Sequence, residues 1–340
     1  MPVMDWIPRH EDAVRIGLIC EIKRFLQAPD LESDLDSELL STFEVDELLS
    51  GLRDAGHDVL MIGDSRHLLN RVGYWRNRCD LIFNKSVGRT GIDRKVHAAA
   101  ILEVAGIPYV GSGCYSLALT RHKQHAKAIV ERSGLHTPLC CLVPPASDTE
   151  LRALPYPVII KPVGESSSIG ITREHSIVED PRQAMRVAHE LAARYHQPSI
   201  VESFVRGAEV EVPLLLDPHP RVLGVVGLSL RGIPVEDEAF LASDSVYGDD
   251  YGFAAPPSYV DLGRVRAAAA TAATALGIRD YGRIDFRVDR DGTPWFIEAS
   301  THPHLQRHSS FFVVAQAREL SYAGMLDELI GVACRRLGLA

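Results

Sequence analysis

A predicted β-hairpin near the end of the chain constrains both the fold and the chemistry. Residues 283–300 read RIDFRVDRDGTPWFIEAS. Apolar residues alternate on both sides of Asp291-Gly292, and an Asp-Gly pair is typical of a two-residue turn because a type I′ turn needs positive φ at both positions. A turn centred there sets the register of the two strands. The predicted facing pairs are Arg283 with Ser300, Ile284 with Ala299, Asp285 with Glu298, Phe286 with Ile297, and Val288 with Trp295.

That register predicts a close pair of carboxylates. Asp285 and Glu298 fall in a non-hydrogen-bonded pair, in which the two Cα atoms lie about 4.5 Å apart. Like charges in that position repel, so the pair requires a cation between the two groups or a shared proton. Carboxylate oxygens are hard ligands, which favours Mg²⁺ or Mn²⁺ over zinc. The alternative is a solvated polar face on an edge hairpin, where water screens the repulsion.

Charge and composition argue against several kinds of partner. The net charge of −9 disfavours nucleic acid or an anionic membrane surface. No apolar run reaches the length of a membrane span, and the polar residues 1–11 do not resemble a signal peptide. The six cysteines lack metal-type spacing and lie mostly in apolar segments, which predicts buried free thiols in a reducing cytoplasm.

The order of predicted elements indicates three parts. The first part alternates strands and helices, at 15–20, 46–56, 58–62, 80–83, 94–105 and 108–110, which favours a parallel sheet with crossover helices. The middle of the chain predicts strands at 139–143, 157–162 and 199–205 and a helix at 181–195, which indicates a smaller α+β unit. Two further strands are predicted after it, at 209–216 and 222–228. The last part holds a helix at 262–276, the hairpin, and a closing helix at 314–335. The acidic residues 31–41 lack apolar periodicity and are predicted to form a surface loop.

A second motif combines a strand, a lysine and a loop of small residues. Residues 158–171 read VIIKPVGESSSIGI. Glycine and serine let backbone N–H groups approach an anion, and Lys161 adds a point charge at the base of the loop. The pattern is neither a P-loop nor a dinucleotide-binding G-x-G-x-x-G. A flexible surface turn is the alternative, but lysine is scarce in this chain, and a lysine inside an apolar strand favours a phosphate site.

In this order the loop and the hairpin resemble the ATP-grasp superfamily, and more specifically D-alanine–D-alanine ligase and its relatives. The resemblance extends from about Asp80 onward. It implies an α/β fold of the three-part ATP-grasp type, with ATP between the last two parts. The implied parts are an N-terminal parallel-sheet substrate domain, a small central α+β domain, and a C-terminal mixed-sheet metal domain, with boundaries at 1–123, 124–206 and 207–340.

The resemblance also implies a set of site residues. Those expected to bind ATP are Lys123, Lys161, Glu165, Ser167, Ser168, Glu202, Phe204, Val205 and Glu209. Asp285, Glu298 and Ser300 are expected to hold Mg²⁺ or Mn²⁺. Arg283 and Ser168 are expected to act in catalysis, with Arg283 stabilising negative charge at the reacting centre.

The departures from the family pattern lie around the substrate. Ser300 replaces a metal-binding asparagine, and His304 replaces a glycine of the acceptor pocket. Phe240 aligns with a mobile-loop lysine that reaches the γ-phosphate, and Arg231 is a candidate replacement. Glu21 is a candidate clamp for a substrate ammonium group, against a surface role, and further candidates are Ser309 and the segment 84–88 after a strand. These changes predict a difference in what is joined, with the use of ATP retained.

The predicted function is therefore an ATP-dependent carboxylate–amine ligase that works through an acyl phosphate. Its expected substrates are amino acids or dipeptides, and family members are often homodimers. Ring closure within one substrate, true D-alanine–D-alanine ligation, a non-catalytic ATP-binding regulator and a phosphotransferase remain alternatives.

Overall fold

The computed structural model describes residues 13–23, 37–248 and 250–339. The first part of the chain forms a four-stranded parallel sheet in the order β2-β1-β3-β4. Its strands are β1 (Arg15–Ile19), β2 (Asp58–Gly63), β3 (Leu81–Asn84) and β4 (Tyr109–Val110). The connecting helices are α1 (Thr42–Asp54), α2 (Ser65–Asn70), α3 (Val72–Arg78) and α4 (Val96–Ala105). The predicted parallel sheet is confirmed.

A second, antiparallel sheet has the order β5-β8-β6-β7 and packs against one long helix. Two helices, α5 (Cys114–Arg121) and α6 (Lys123–Arg132), lead into it. Its elements are β5 (Cys140–Val143), α7 (Asp148–Arg152), β6 (Val158–Pro162), β7 (Ile177–Val178), α8 (Pro181–Tyr195) and β8 (Ser199–Ser203). Asp180 caps α8 and Pro181 occupies its first turn, where a missing N–H costs nothing, so the helix begins where the sequence predicts.

The third sheet has the order β12-β11-β9-β14-β15, with β10 paired to β9 and β13 to β11. Its strands are β9 (Ala208–Asp217), β10 (His219–Val222), β11 (Val226–Leu230), β12 (Ile233–Pro234), β13 (Tyr251–Ala254), β14 (Asp280–Val288) and β15 (Pro294–Ser300). The helices of this part are α9 (Ser243–Tyr247), α10 (Leu262–Ala275), α11 (Ser310–Ala317) and α12 (Tyr322–Leu337). The strand pairs named here are antiparallel, whereas a mixed sheet was expected, and β15 adds a parallel bridge between Trp295 and His136.

Three sequence predictions need correction. The strand predicted at 222–228 is two strands, β10 and β11. The closing helix predicted at 314–335 is two helices, because Glu319 takes a left-handed φ of 60° and Ser321 caps α12. The loop predicted for 31–41 is described only from residue 37 onward, and there Glu38 and Leu40 are buried, not on the surface.

Two other predictions concern the chain outside the catalytic elements. All six cysteines are free, as predicted, and burial raises the pKa of the Cys79 thiol to about 11. Among the residues that the structure describes, no helix combines the length and apolar character that a membrane span requires. The prediction for residues 1–11 lies outside the described residues.

Candidate active site

Two adjoining cavities lie where the three sheets meet. The N-terminal cavity encloses about 1050 Å³ with its open mouth, and Glu21, Lys85, Arg283 and His304 are among its lining residues. The central cavity encloses about 740 Å³ between the second and third sheets. Five residues line both: Lys123, Glu165, Ser166, Leu241 and Glu298. The two cavities therefore form one continuous cleft.

The hairpin has the predicted register at the site but not near its turn. Arg283 faces Ser300 and Asp285 faces Glu298, whereas Phe286 faces Phe296 where Ile297 was predicted. The loop has three residues, because Gly292 takes a left-handed φ of 74° after a turn that closes on Asp289. A bulge at Ile297 then restores the register.

The bulge has a consequence for the cleft. It turns Phe296 into the core, where it is fully buried, and it places the consecutive residues Ile297 and Glu298 both against the central cavity. In a regular strand two consecutive side chains would point to opposite faces. The irregularity thus supplies an apolar wall and a carboxylate from one edge of the strand.

Carboxylates concentrate on the cleft side of β9, β14 and β15. Asp285 faces Glu211 on one neighbouring strand and Glu298 on the other. Arg283 donates two hydrogen bonds of 2.7 Å to Asp285 and lies 3.1 Å from Glu211. Burial raises the pKa of Asp285 to about 7, with Arg283 opposing the rise and Glu211 and Glu298 adding to it. A carboxylate in this position gains from an additional cation.

The donor chemistry fits a divalent metal only if other ligands complete the site. Over the described ranges, no three His, Cys, Asp or Glu side chains cluster as a metal site. Asp285 and Glu298 face each other, and Glu211 Oε2 is buried without a hydrogen-bond partner in the described part of the chain. Ser300 lines only the N-terminal cavity. Mg²⁺ commonly takes one or two carboxylates and completes its shell with phosphate and water.

Lysines gather at the cleft. Five of the six lysines are buried: Lys85, Lys95, Lys123, Lys127 and Lys161. Lys123 lies 3.5 Å from Glu298 and also donates to the backbone carbonyl of Glu165. Lys161 lies 2.6 Å from Glu202, and Lys127 lies 3.0 Å from the other oxygen of the same carboxylate. Sequence reasoning missed Lys127, although its spacing of four residues from Lys123 places both on one helix face.

This buried triad gives a testable pH dependence. Burial opposes ionisation of Glu202, but Lys127 and Lys161 outweigh it and hold the pKa of this carboxyl at about 2. The pKa in an unfolded chain is about 4.3. Ionised Glu202 therefore stabilises the fold above about pH 5, and that contribution falls as the pH drops towards 2.

We expect Glu202→Gln to lower the free energy of unfolding by roughly 3–5 kcal/mol at pH 7, since it leaves two buried ammonium groups without their carboxylate. Urea titrations from pH 7 to pH 3 should show the wild-type and variant stabilities converge. Glu190→Gln, on the exposed face of α8, is the control. A constant gap across this pH range would contradict the ionic role of Glu202.

The loop after β6 is held in place by ionic hydrogen bonds to the side chain of Glu165. Glu165 accepts hydrogen bonds of 3.0 and 2.6 Å from Arg94 and one of 2.8 Å from Gln197. Ser167 and Ser168 both take a left-handed φ of 55°. The Glu165 carboxylate is thus part of an ion-pair network. Its predicted contact with ATP remains a prediction, as do the predicted contacts of Ser167 and Ser168.

The far end of the central cavity has aromatic walls. Phe204, Val205 and Phe240 line it, and the two phenyl rings meet edge to face at 6.3 Å. Arg287 stacks 4.6 Å from the centre of the Phe204 ring and lies 3.1 Å from Glu209. An apolar slot with a few polar groups suits a flat heteroaromatic ring. Phe240 belongs to this slot, at the position where a lysine was sought.

The three predicted substrate residues, Glu21, His304 and Ser309, differ in where the structure places them. Glu21 accepts from the Ser86 hydroxyl at 2.7 Å and from two backbone N–H groups of the same loop. His304 lines the cavity, its Nδ1 lies 3.2 Å from Gln306, and burial lowers its pKa to about 4. Ser309 lines neither cavity and caps α11 by accepting from Phe312.

Two further residues of the N-terminal cavity, Lys95 and Glu38, carried no sequence signal of a role in the site. Lys95 lies 3.2 Å from Glu38, and its Nζ is 3.1 Å from the Ser166 hydroxyl. Their contacts join chain segments far apart in sequence, so no local pattern shows them. Lys85, by contrast, belongs to the segment 84–88 that the sequence singled out after a strand.

The sequence and the fold both resemble those of known proteins. The family described as "D-ala D-ala ligase C-terminus" matches residues 145–331. The D-alanine–D-alanine ligase of Nitrosospira multiformis is 30% identical over 84% of this chain and 89% of its own. That of Stutzerimonas stutzeri is 32% identical over 83% and 86%. The crystal structure of D-alanine–D-alanine ligase from Bacillus anthracis complexed with ATP has a TM-score of 0.71, at 21% identity, covering 95% of this chain and 98% of that one.

Proposed function

Because the chain belongs to the D-alanine–D-alanine ligase family, and is thus an ATP-dependent ligase that forms carbon–nitrogen bonds, we propose that it joins two amino-acid-type substrates through an acyl phosphate. One observation carries the proposal. Lys123 and Glu298 line both cavities. A triphosphate that extends from the central cavity would end beside them, at the point where a substrate in the N-terminal cavity begins.

The central cavity is the proposed ATP site. The base would lie between Phe204, Phe240 and Ile297, and Glu209 at the rim would receive the ribose hydroxyls. Lys123 and Lys161 would contact the phosphates. Asp285 and Glu298 would hold Mg²⁺, which when bound offsets the negative charge of the phosphates.

The proposed reaction has two steps on this scaffold. A substrate carboxylate oxygen attacks the γ-phosphorus, and the bond from the γ-phosphorus to the β-phosphate oxygen breaks. ADP departs, and the substrate becomes an acyl phosphate. The amine of the second substrate then attacks the acyl carbon. The bond from that carbon to the phosphate oxygen breaks, inorganic phosphate departs, and the amine loses its proton. Arg283, which reaches the N-terminal cavity, would stabilise the oxyanion formed in the second step.

The acceptor end supports a substrate preference unlike that of the family. His304 brings an imidazole to the wall of the N-terminal cavity where the family pattern has glycine. A ring in that place removes volume and adds a polar group, so it changes which second substrate fits. The domain boundaries at 123 and 206 and a homodimer are further proposals that size measurements and limited proteolysis can examine.

ADP release in the presence of Mg·ATP tests the function. We expect release to require two amino acids from a panel of L and D forms, with a product one water lighter than their sum. Added hydroxylamine should trap the acyl phosphate. Turnover with D-alanine alone would contradict the altered acceptor, a stable phosphorylated product would indicate a phosphotransferase, and ATP binding without any turnover would indicate a regulator.

A further inference from the structure

A buried cation without a carboxylate partner faces the N-terminal cavity. Lys85 is 5% exposed, and its Nζ donates a 2.6 Å hydrogen bond to the Pro303 carbonyl. The ammonium group lies 5.7 Å from the centre of the Tyr281 ring. Within residues 13–23, 37–248 and 250–339, no carboxylate oxygen lies within 4 Å of it. A buried charge is normally paired, so this arrangement leaves a strong preference for an anion unfulfilled.

Two more donors stand in the same cavity. Lys95 also lines it, and burial lowers the pKa of Lys85 to about 7, with Lys95 adding to this effect. His302 is 9% exposed, and neither of its ring nitrogens has a hydrogen-bond partner among the described residues. One N–H of a neutral imidazole is a donor. An unpartnered imidazole and an unpaired ammonium group on one wall both indicate a ligand that accepts hydrogen bonds.

The surrounding carboxylates are engaged by other groups and leave Lys85 without an ion pair among the described residues. Glu38 and Glu165 together face three cations, namely Arg94, Arg121 and Lys95. The oxygens of Glu21 are hydrogen-bonded to the loop that carries Ser86. These carboxylates are therefore engaged elsewhere, and the nearby Glu44 acts on Lys85 only from beyond ion-pair distance.

We propose that the carboxylate-donating substrate is a dicarboxylic amino acid, whose second carboxylate pairs with Lys85 and accepts hydrogen bonds from Lys95 or His302. The proposal rests on the proposed ligase function and specifies its substrate class. Bound as the carboxylate donor, alanine places its one carboxylate at the γ-phosphate and has no second carboxylate for Lys85, so it would leave this cation buried and unpaired. A second carboxylate gains charge-assisted hydrogen bonds from a buried lysine, and such bonds discriminate strongly between substrates.

Kinetic selectivity is the first test. ADP release should be measured with aspartate, glutamate and alanine in both chiral forms, each with a second amino acid. In the wild type we expect kcat/KM for a dicarboxylic amino acid to exceed that for alanine at least tenfold. Lys85→Gln should lower this ratio at least tenfold, and Lys85→Arg should restore part of it.

Controls separate recognition from a structural role. If Lys85 only tethers the Pro303 loop, Lys85→Gln would slow all substrates equally and leave the ratio unchanged, which would overturn the proposal. Arg335→Gln removes a cation that lines neither cavity, and its ratio should equal that of the wild type. Should Lys85→Gln fail to fold, a wild-type preference for alanine would by itself overturn the proposal.

Calorimetric binding distinguishes failure of this proposal from failure of the ligase function. The titration uses full-length protein, a non-hydrolysable ATP analogue, and aspartate or glutamate as the probe. Binding that Lys85→Gln weakens at least tenfold, without turnover of any pair, would support the anion site and contradict the ligase function. Turnover of neutral amino acids without binding of either dicarboxylate would support the ligase function and overturn the anion site.

Discussion

Replacing Glu298 by glutamine is expected to lower kcat for ADP release about 1000-fold while leaving the fold intact. Glutamine has nearly the same size and shape, so the β15 bulge and its packing should persist. The charge, however, is lost at the point where the two cavities meet and where Lys123 lies 3.5 Å away. Removing one preorganised electrostatic group from a site of charge development costs on the order of 10²–10³ in rate, and loss of the proposed metal ligand would add to this cost.

Three measurements examine this expectation. Steady-state ADP release gives kcat, far-ultraviolet circular dichroism shows whether the fold is retained, and electron paramagnetic resonance of Mn²⁺ with ADP reports metal binding independently of turnover. Asp291→Asn removes a carboxylate from the exposed hairpin turn and serves as the control. A near-normal rate in Glu298→Gln, with unchanged Mn²⁺ binding, would show that the metal assignment is wrong.

The part of the site that sequence predicts best is the part governed by local rules. The alternation of residues 283–300 and the Asp-Gly turn place Arg283, Asp285 and Glu298 correctly in pairs. The same rules misplace Phe296 and Ile297, because the three-residue loop shifts the register by one and the bulge shifts it back. The two register shifts are opposite in direction and cancel, so the pairing beyond the bulge is the one predicted from a two-residue turn.

The part that sequence does not predict depends on contacts between distant segments. Glu38 was placed in a surface loop because its neighbours are acidic, yet it is buried against Arg94 and Arg121. Residues 38 and 121 are not linked by any period or motif, and only the tertiary fold, in which α5 packs beside α4, brings them together. The breadth of the ion-pair network beneath the loop after β6 was likewise unpredictable from its Ser-rich sequence.

A second large effect is expected at Arg283. Arg283→Lys should lower kcat about 100-fold while changing the KM for ATP little. Arginine holds Asp285 through two hydrogen bonds and contacts Glu211 with a third nitrogen. An ammonium group keeps the charge but cannot reproduce this planar fork, so its position relative to a developing oxyanion would be lost.

The matched control lies four residues along the same strand. Arg287 contacts Phe204 and Glu209 at the proposed base-binding end of the central cavity, so Arg287→Lys should raise the KM for ATP more than it lowers kcat. A loss confined to kcat indicates an interaction made only in the transition state, whereas a rise in KM alone indicates an interaction made equally in the ground state. If Arg283→Lys raised the KM for ATP with kcat unchanged, Arg283 would act in nucleotide binding and the oxyanion would need another donor. The opposite kinetic patterns of these two substitutions on β14 would show that the strand contributes to both halves of the cleft.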